Sequence, residues 1–357
     1  IGSGKKMKLQ PLIIKDLTIE VPIIQGGMGV GISLSRLAGA VSKEGGLGVV
    51  SAAQTGFAEL DFMQDAFHAN LRALGREIHQ AKELSGGRPV GVNIMRASRN
   101  YAEYVDCCVK NGADVIISGA GLPIELPLLL QDTKVKFAPV VSSLKAAKVL
   151  FQRWDKRYHK VADFVVIEGP KAGGHLGFTP EEAAQLTLAE FDKEVEAIVD
   201  FVRGYEASYG PIPVVYAGGV FDRQDIDHYL SLGCQGVQMA TRFVVTEECD
   251  APQNYKEAYL KAKKEDIVIV QSPVGLPGRA IANDFVKARQ QGREPVEKCF
   301  RCMDQCDPAT TPYCISMALI RAAKGKLDHA LLFCGENAWR LEKMTTVKAL
   351  MEELNAE

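Results

Sequence analysis

The sequence predicts a (β/α)8 barrel followed by a helical, cysteine-containing extension. Three observations carry this expectation. Short apolar runs recur eight times, each followed by a turn and then by a stretch with helical periodicity. Valine and isoleucine dominate several of the runs, as strands buried on both faces require. The eight units occupy about 240 residues, the usual size of such a barrel. The competing arrangement is an open doubly wound sheet. The chain lacks the Gly-x-Gly-x-x-Gly fingerprint and the phosphate-loop lysine motif that would favour it.

The predicted strands are residues 22–27, 47–52, 89–95, 114–119, 137–142, 164–169, 212–219 and 236–241. A helix over 33–44 keeps Leu34, Leu37, Ala38 and Val41 on one face. A second, 101–111, stops at Asn111-Gly112. Residues 145–158 and 180–204 form longer helical connections. The helix over 222–232 opens on Asp222, which can cap free amides, with Asp225 three residues on. Residues 8–290 are assigned to the barrel and 291–357 to the extension. Residues 1–7 read as a tag remnant, Ile1-Gly2-Ser3-Gly4, leading to a natural start at Met7. Within the extension, 313–354 is helical in period, anchored by Leu319, Leu331, Leu332, Val347, Leu350 and Leu354 and interrupted at Asn337-Ala338-Trp339-Arg340. The expectation is that it packs within the chain. The alternative is that it covers a second copy in a homodimer.

Composition narrows the function. The chain has 357 residues, 47% hydrophobic and 24% charged, with a formal net charge of -2. That is globular composition without the basic field that attracts nucleic acid. No apolar run reaches the roughly 18 residues of a membrane span. Nine cysteines in a chain this long do not form a secreted disulfide scaffold. They fit a cytoplasmic enzyme with reduced thiols or a metal site.

A barrel gathers the C-terminal ends of its strands on one face, where active sites lie. The chain places unusual residues there. The first strand ends in Gln25-Gly26-Gly27-Met28-Gly29, and the third carries Asn93. The fourth ends in Gly119-Ala120-Gly121. The sixth ends in Glu168, followed by the turn Ala172-Gly173-Gly174-His175. The seventh ends in Ala217-Gly218-Gly219, and the eighth in Met239-Ala240-Thr241. Glycines let backbone turn sharply and approach a ligand closely. Loops after the last two strands commonly hold a phosphate on backbone amides. His175, one of six histidines, sits on a glycine turn at a strand end. It reads either as a catalytic group or as a surface loop residue.

Read in order, these motifs resemble a known family. Gln25-Gly26-Gly27-Met28, Ala38-Gly39-Ala40-Val41-Ser42, Gly45-Gly46-Leu47-Gly48, Gly91-Val92-Asn93-Ile94-Met95, Ala172-Gly173-Gly174-His175, Ala217-Gly218-Gly219 and Thr241-Arg242-Phe243 are similar to those of the nitronate monooxygenase (2-nitropropane dioxygenase) family and of its relative, enoyl-acyl carrier protein reductase II. The resemblance implies a TIM barrel carrying FMN. It implies that Gly26, Gly27 and Met28 lie along the isoalloxazine ring and that Asn93 hydrogen-bonds it. It places Gly173 and Gly174 against the cofactor and matches Glu168 to a carboxylate position at the sixth strand end, which reads either as a cofactor-binding group or as a carboxylate that orients a neighbour. It implies that Gly218, Gly219, Ala240 and Thr241 hold the phosphate. His175 matches the active-site histidine.

The implied activity is oxidation of alkyl nitronates, with the flavin reoxidised by O2. The alternatives are NAD(P)H-dependent enoyl reduction on the same flavin, and a non-catalytic FMN-binding subunit. Partners would be a small-molecule substrate and either NAD(P)H or an electron-transfer protein. The extension adds Cys299-x2-Cys302-x3-Cys306-x7-Cys314 in a stretch kept irregular by Pro308 and Pro312. Such spacings let several thiolates reach one centre. The spacing resembles the cluster loop of iron–sulfur flavoenzymes related to 2,4-dienoyl-CoA reductase, with a shorter final gap. [4Fe–4S] is the expected occupant, ahead of zinc. The alternatives are reduced thiols in a packed cap or a disulfide.

Overall fold

The structure is a computed structural model, and it describes residues 8–273 and 275–356. The reading of residues 1–7 as a tag lies outside the described residues. Eight parallel strands form the barrel: β1 (Ile23–Gln25), β2 (Gly48–Ser51), β3 (Val90–Met95), β4 (Val115–Gly119), β5 (Lys136–Val141), β6 (Val165–Glu168), β7 (Val214–Ala217) and β8 (Gly236–Met239). Each lies within a predicted run, except that β5 starts one residue early. Neighbours pair in sequence order from β2 to β8, and β8 pairs with β1. Between β1 and β2 the ladder thins to a single bridge, Ile24 to Leu47. Gln25 reinforces that seam. It is fully buried, and its amide donates to the Val49 carbonyl at 3.2 Å and accepts the Val49 N–H at 3.0 Å. The side chain thus supplies the pairing that the backbone does not make.

Strand alternation sorts the apolar residues into two cores. Ile24, Val49, Val115, Ile117, Ala138, Val166 and Val215 point into the barrel. Ile23, Val50, Ile116, Phe137, Val165, Ile167 and Val214 point out, against the surrounding helices. The interior is closed by an antiparallel hairpin that sequence periodicity does not reveal, Leu12–Ile14 with Leu17–Ile19. Its Leu12, Ile14 and Ile19 are at most 1% exposed and join the interior cluster.

The helices follow their local signals with three instructive differences. Asp222 caps Arg223–Ser231, with Asp225 completing the capping box. The connection over 180–204 is not one helix. Thr179 and Thr187 each open a capping box with a glutamate three residues on, which splits it into Pro180–Gln185 and Leu188–Arg203. Ser35–Lys43 has no local cap. Asp250, far along the chain, accepts the amides of Leu34, Arg36 and Leu37 instead. Ala66–Leu84 is the longest helix, and the mid-helix Gly75 obscures it in the sequence.

Beyond β8 the chain returns across the top of the barrel. Ile267–Gln271 and Pro277–Ile281 form a hairpin, and the latter pairs with the two-residue strand Gly174–His175. The extension packs within the chain, as expected. Leu331, Leu332, Val347, Leu350 and Leu354 are at most 2% exposed, and Val347–Asn355 contacts Ser35–Lys43. The irregular 337–340 stretch is part of the 3-10 turn Glu336–Arg340. No helix among the described residues is long and apolar enough to cross a membrane.

Candidate active site

The C-terminal ends of the strands open into one cavity. Gly26, Gly27, Met28, Asn93, Glu168, Gly173, Gly174, His175, Gly218, Gly219, Ala240 and Thr241 all line it. Of the four predicted metal ligands, only Cys302 reaches it.

The glycines have a more particular explanation than ligand approach alone. A Cβ on Gly27 would stand 2.5 Å from the Cβ of Asn93. One on Gly173 would stand 2.5 Å from the Cys334 backbone. Gly218 and Gly219 have φ of +116° and +77°, which L side chains rarely adopt. These glycines therefore let the protein close on itself around the cavity. The segment Cys334–Asn337 of the extension is the closing piece. Asn337 donates to the Gly219 carbonyl at 2.8 Å, and the Gly335 amide donates to Thr241 Oγ1 at 3.2 Å. Lys171 pairs with Glu336 at 3.0 Å.

His175 is fixed from three sides. It is paired into the hairpin strand, its Nε2 lies 2.7 Å from Ser272 Oγ, and its ring meets Phe333 edge-on at 5.1 Å. Burial lowers its pKa to about 4, so the imidazole is neutral at physiological pH. The turn before it is held by Arg279, a residue the sequence motifs do not expose. Its guanidinium is 3% exposed and donates to the carbonyls of Pro170, Ala172 and Ala183 at 2.7, 2.7 and 3.1 Å.

Glu168 stands at the end of β6, level with Ala217. Burial alone pushes its carboxyl up to about 8, because no cation offsets it. A carboxyl raised this far favours its protonated form at pH 7, in which it can donate a hydrogen bond. Gln238 is the second residue that the motifs miss. It lines the cavity beside Gly26, and its Oε1 is buried with no hydrogen-bond partner. Its signal is a polar residue at an inward position near the end of β8, the same signal that marks Asn93 on β3.

All nine cysteines are free thiols. Among the described residues, no three His, Cys, Asp or Glu side chains are arranged to hold a single metal ion. The predicted ligands Cys299, Cys302, Cys306 and Cys314 are therefore not brought together at one point.

Comparison with known proteins shows the family. The profile of the family described as nitronate monooxygenase matches residues 10–357. The chain belongs to that family. It is 28% identical over 302 residues to a probable nitronate monooxygenase of Staphylococcus saprophyticus, covering 78% of this chain and 81% of that protein. It is 27% identical over 286 residues to the (3aS,4S,5R,7aS)-5-hydroxy-7a-methyl-1-oxo-octahydro-1H-indene-4-carboxyl-CoA dehydrogenase of Mycobacterium tuberculosis, covering 80% and 70%. FabK of Thermotoga maritima superposes with a TM-score of 0.70 at 27% identity, covering 94% of this chain and 92% of that one. A nitroalkane oxidase of Streptomyces ansochromogenes shares the fold, with a TM-score of 0.69 at 22% identity. As a nitronate monooxygenase family member, the chain is an oxidoreductase.

Proposed function

We propose that this chain is an FMN-dependent oxidoreductase that oxidises alkyl nitronates, with O2 as the terminal acceptor. The observation that carries this reading is the pairing of an orphaned polar atom with a neutral acid in one cavity. Gln238 Oε1 is buried without a partner, and Glu168 is held protonated by burial. Unpaired buried polar groups cost about 1–3 kcal/mol each, so a structure retains them where a ligand satisfies them.

The residues fit FMN. Asn93 and Gln238 present amides to the polar edge of a flat ring system. The backbone of Gly26, Gly27 and Met28 forms one wall, and Gly173 and Gly174 form another. Gly218, Gly219, Ala240 and Thr241 offer main-chain groups for the phosphate. The cofactor, when bound, supplies two-electron acceptance and its own reoxidation. The chain supplies the rest. A nitronate is an anion, and an ionised carboxylate beside it would repel it. Glu168 avoids that by holding its proton, which it can donate to a nitronate oxygen. Neutral His175 carries one ring N–H and one lone pair, and it orients the same group without adding charge. Ser272, Phe333 and Arg279 keep that imidazole in place.

A second reading has its own support. A protonated Glu168 is also what enoyl reduction needs, to deliver a proton opposite the hydride. The similarity to the carboxyl-CoA dehydrogenase and to FabK points the same way. Anaerobic titration of the yellow protein separates the two. Bleaching by an alkyl nitronate, with recovery on admitting O2, is the expected result. Bleaching by NADH, with recovery on adding an enoyl thioester, would replace the first reading by the second. Bleaching by neither would leave an FMN-binding subunit without turnover.

A further inference from the structure

Four cysteines gather in one stretch beside the cavity, with Cys302 on its wall, and the proposed chemistry does not use them. Cys299, Cys302, Cys306 and Cys314 fall between the helices Asp284–Gln291 and Ile315–Ala323. The stretch is anchored rather than loose. The Cys302 carbonyl accepts the Arg99 amide at 2.9 Å, the Asp304 amide donates to Ala97 at 3.1 Å, and Ser98 bridges Met303. These contacts hold it against the loop that follows β3. Cys302 lines the cavity, while Cys299 is exposed at the surface. Cys302 and Cys306 pack into one small core with Met303, Tyr313 and Ile315.

The sulfurs are also served as anions would be. The Arg301 amide donates to Cys299 Sγ at 3.4 Å. Cys314 caps the nine-residue helix Ile315–Ala323 and accepts the Met317 amide at 3.4 Å. Cys302 and Cys306 share that small core, and Cys314 opens the helix whose first residue, Ile315, belongs to the same core. Four cysteine sulfurs in one anchored stretch, two of them accepting backbone N–H groups, form the donor set of a shared cationic centre. A single ion would need the sulfurs to meet at a point, and they do not. An iron–sulfur cubane puts an iron between each thiolate and the centre, so it holds them farther apart.

We propose that Cys299, Cys302, Cys306 and Cys314 ligate a [4Fe–4S] cluster built into the wall of the active-site cavity. Cysteine ligation of all four irons is the standard mode for this cluster. Its position sets a one-electron carrier between the surface at Cys299 and the cavity at Cys302.

The test is independent of turnover. The protein is produced and purified without oxygen, and iron, acid-labile sulfide, zinc and flavin are measured separately. About four irons and four sulfides per chain are expected, with an electron paramagnetic resonance signal after dithionite reduction. Cys302→Ser and Cys314→Ser should lose the iron, and Cys108→Ser, buried under the barrel helices, should keep it. If a ligand variant does not fold, alkylation of the wild-type protein decides. The four loop thiols should resist iodoacetamide until the iron is removed. Folded protein that contains zinc or no metal after iron–sulfide reconstitution overturns the proposal. So do four loop thiols that alkylate equally fast before and after iron removal. Flavin content is read separately, so failure here leaves the FMN reading intact.

Discussion

The two ends of this barrel are built from the same strands under opposite rules. At the lower end, Leu12, Ile14 and Ile19 seal an apolar interior with no polar side chain in the cluster. At the upper end, Gln238 Oε1 has no partner and Glu168 is buried without a counter-charge. A few residues along β6, Val166 packs into a dry core while Glu168 faces a cavity. The difference teaches where the chain concentrates function: at the end where the rules of stable packing are broken. If that division is right, substitutions at the two ends should separate activity from stability.

The largest expected effect lies at the upper end. His175→Ala should retain FMN and stability and lose about 100- to 10,000-fold in kcat with the physiological substrate, the usual contribution of a positioned proton-transferring or polarising group. Steady-state rates and flavin absorbance check this together. A loss below about threefold would reduce His175 to a packing residue beside Phe333.

The complementary substitution lies at the lower end. Leu12→Ala removes a fully buried side chain from the hairpin plug and should cost about 2–5 kcal/mol, read from urea or thermal unfolding. kcat per folded, flavin-loaded molecule should not change. A drop in kcat would show that the two ends are coupled and would break the comparison.

Arg279→Lys sharpens it further, because Arg279 supports the active end from within. One ammonium cannot replace a planar fork that reaches three carbonyls on two segments. The variant should lose about 1–3 kcal/mol of stability. It should also lower kcat through the displaced His175 turn, with FMN affinity kept. Loss of stability with kcat unchanged would make Arg279 a purely structural clamp.

How much of this was legible in the sequence depended on range. Strands were visible because valine and isoleucine fill both faces. The Asp222–Asp225 cap was visible because its partners are three residues apart. The glycine rim and His175 were visible because each motif closes within a few residues. What the sequence hid is long-range. Asp250 caps a helix more than two hundred residues upstream, and the Leu12–Ile19 plug gains its meaning only from a closed barrel. Gly173 is a glycine because Cys334 crosses it, which no local pattern records. Arg279 and Gln238 sit in ordinary strand sequence, and only the fold turns them toward the site. The raised pKa of Glu168 was hidden for the same reason, because its burial belongs to the closed barrel and not to the local sequence.

The smallest effect is a matter of slope rather than size. In the folded protein the Glu168 pKa is raised from 4.5 to about 8, so the folded state holds a proton that the unfolded state releases. Its favourable contribution is complete below pH 4.5 and is lost as pH rises through 8. His175 works in the opposite sense. Its pKa falls from 6.5 to about 4, so its contribution is present above pH 6.5 and is lost as pH falls through 4. Below pH 6.5 the two slopes oppose. Between pH 6.5 and 8 only Glu168 is titrating of the pair, and stability should decline with rising pH. Glu168→Gln keeps the shape and removes the proton, so it should flatten that decline while leaving the acid side governed by His175. Urea midpoints measured across the window at saturating FMN would show it. An unchanged slope in Glu168→Gln would mean that the carboxyl is ionised and partnered in solution. The upper end of the barrel would then hold one broken rule, at Gln238, and not two.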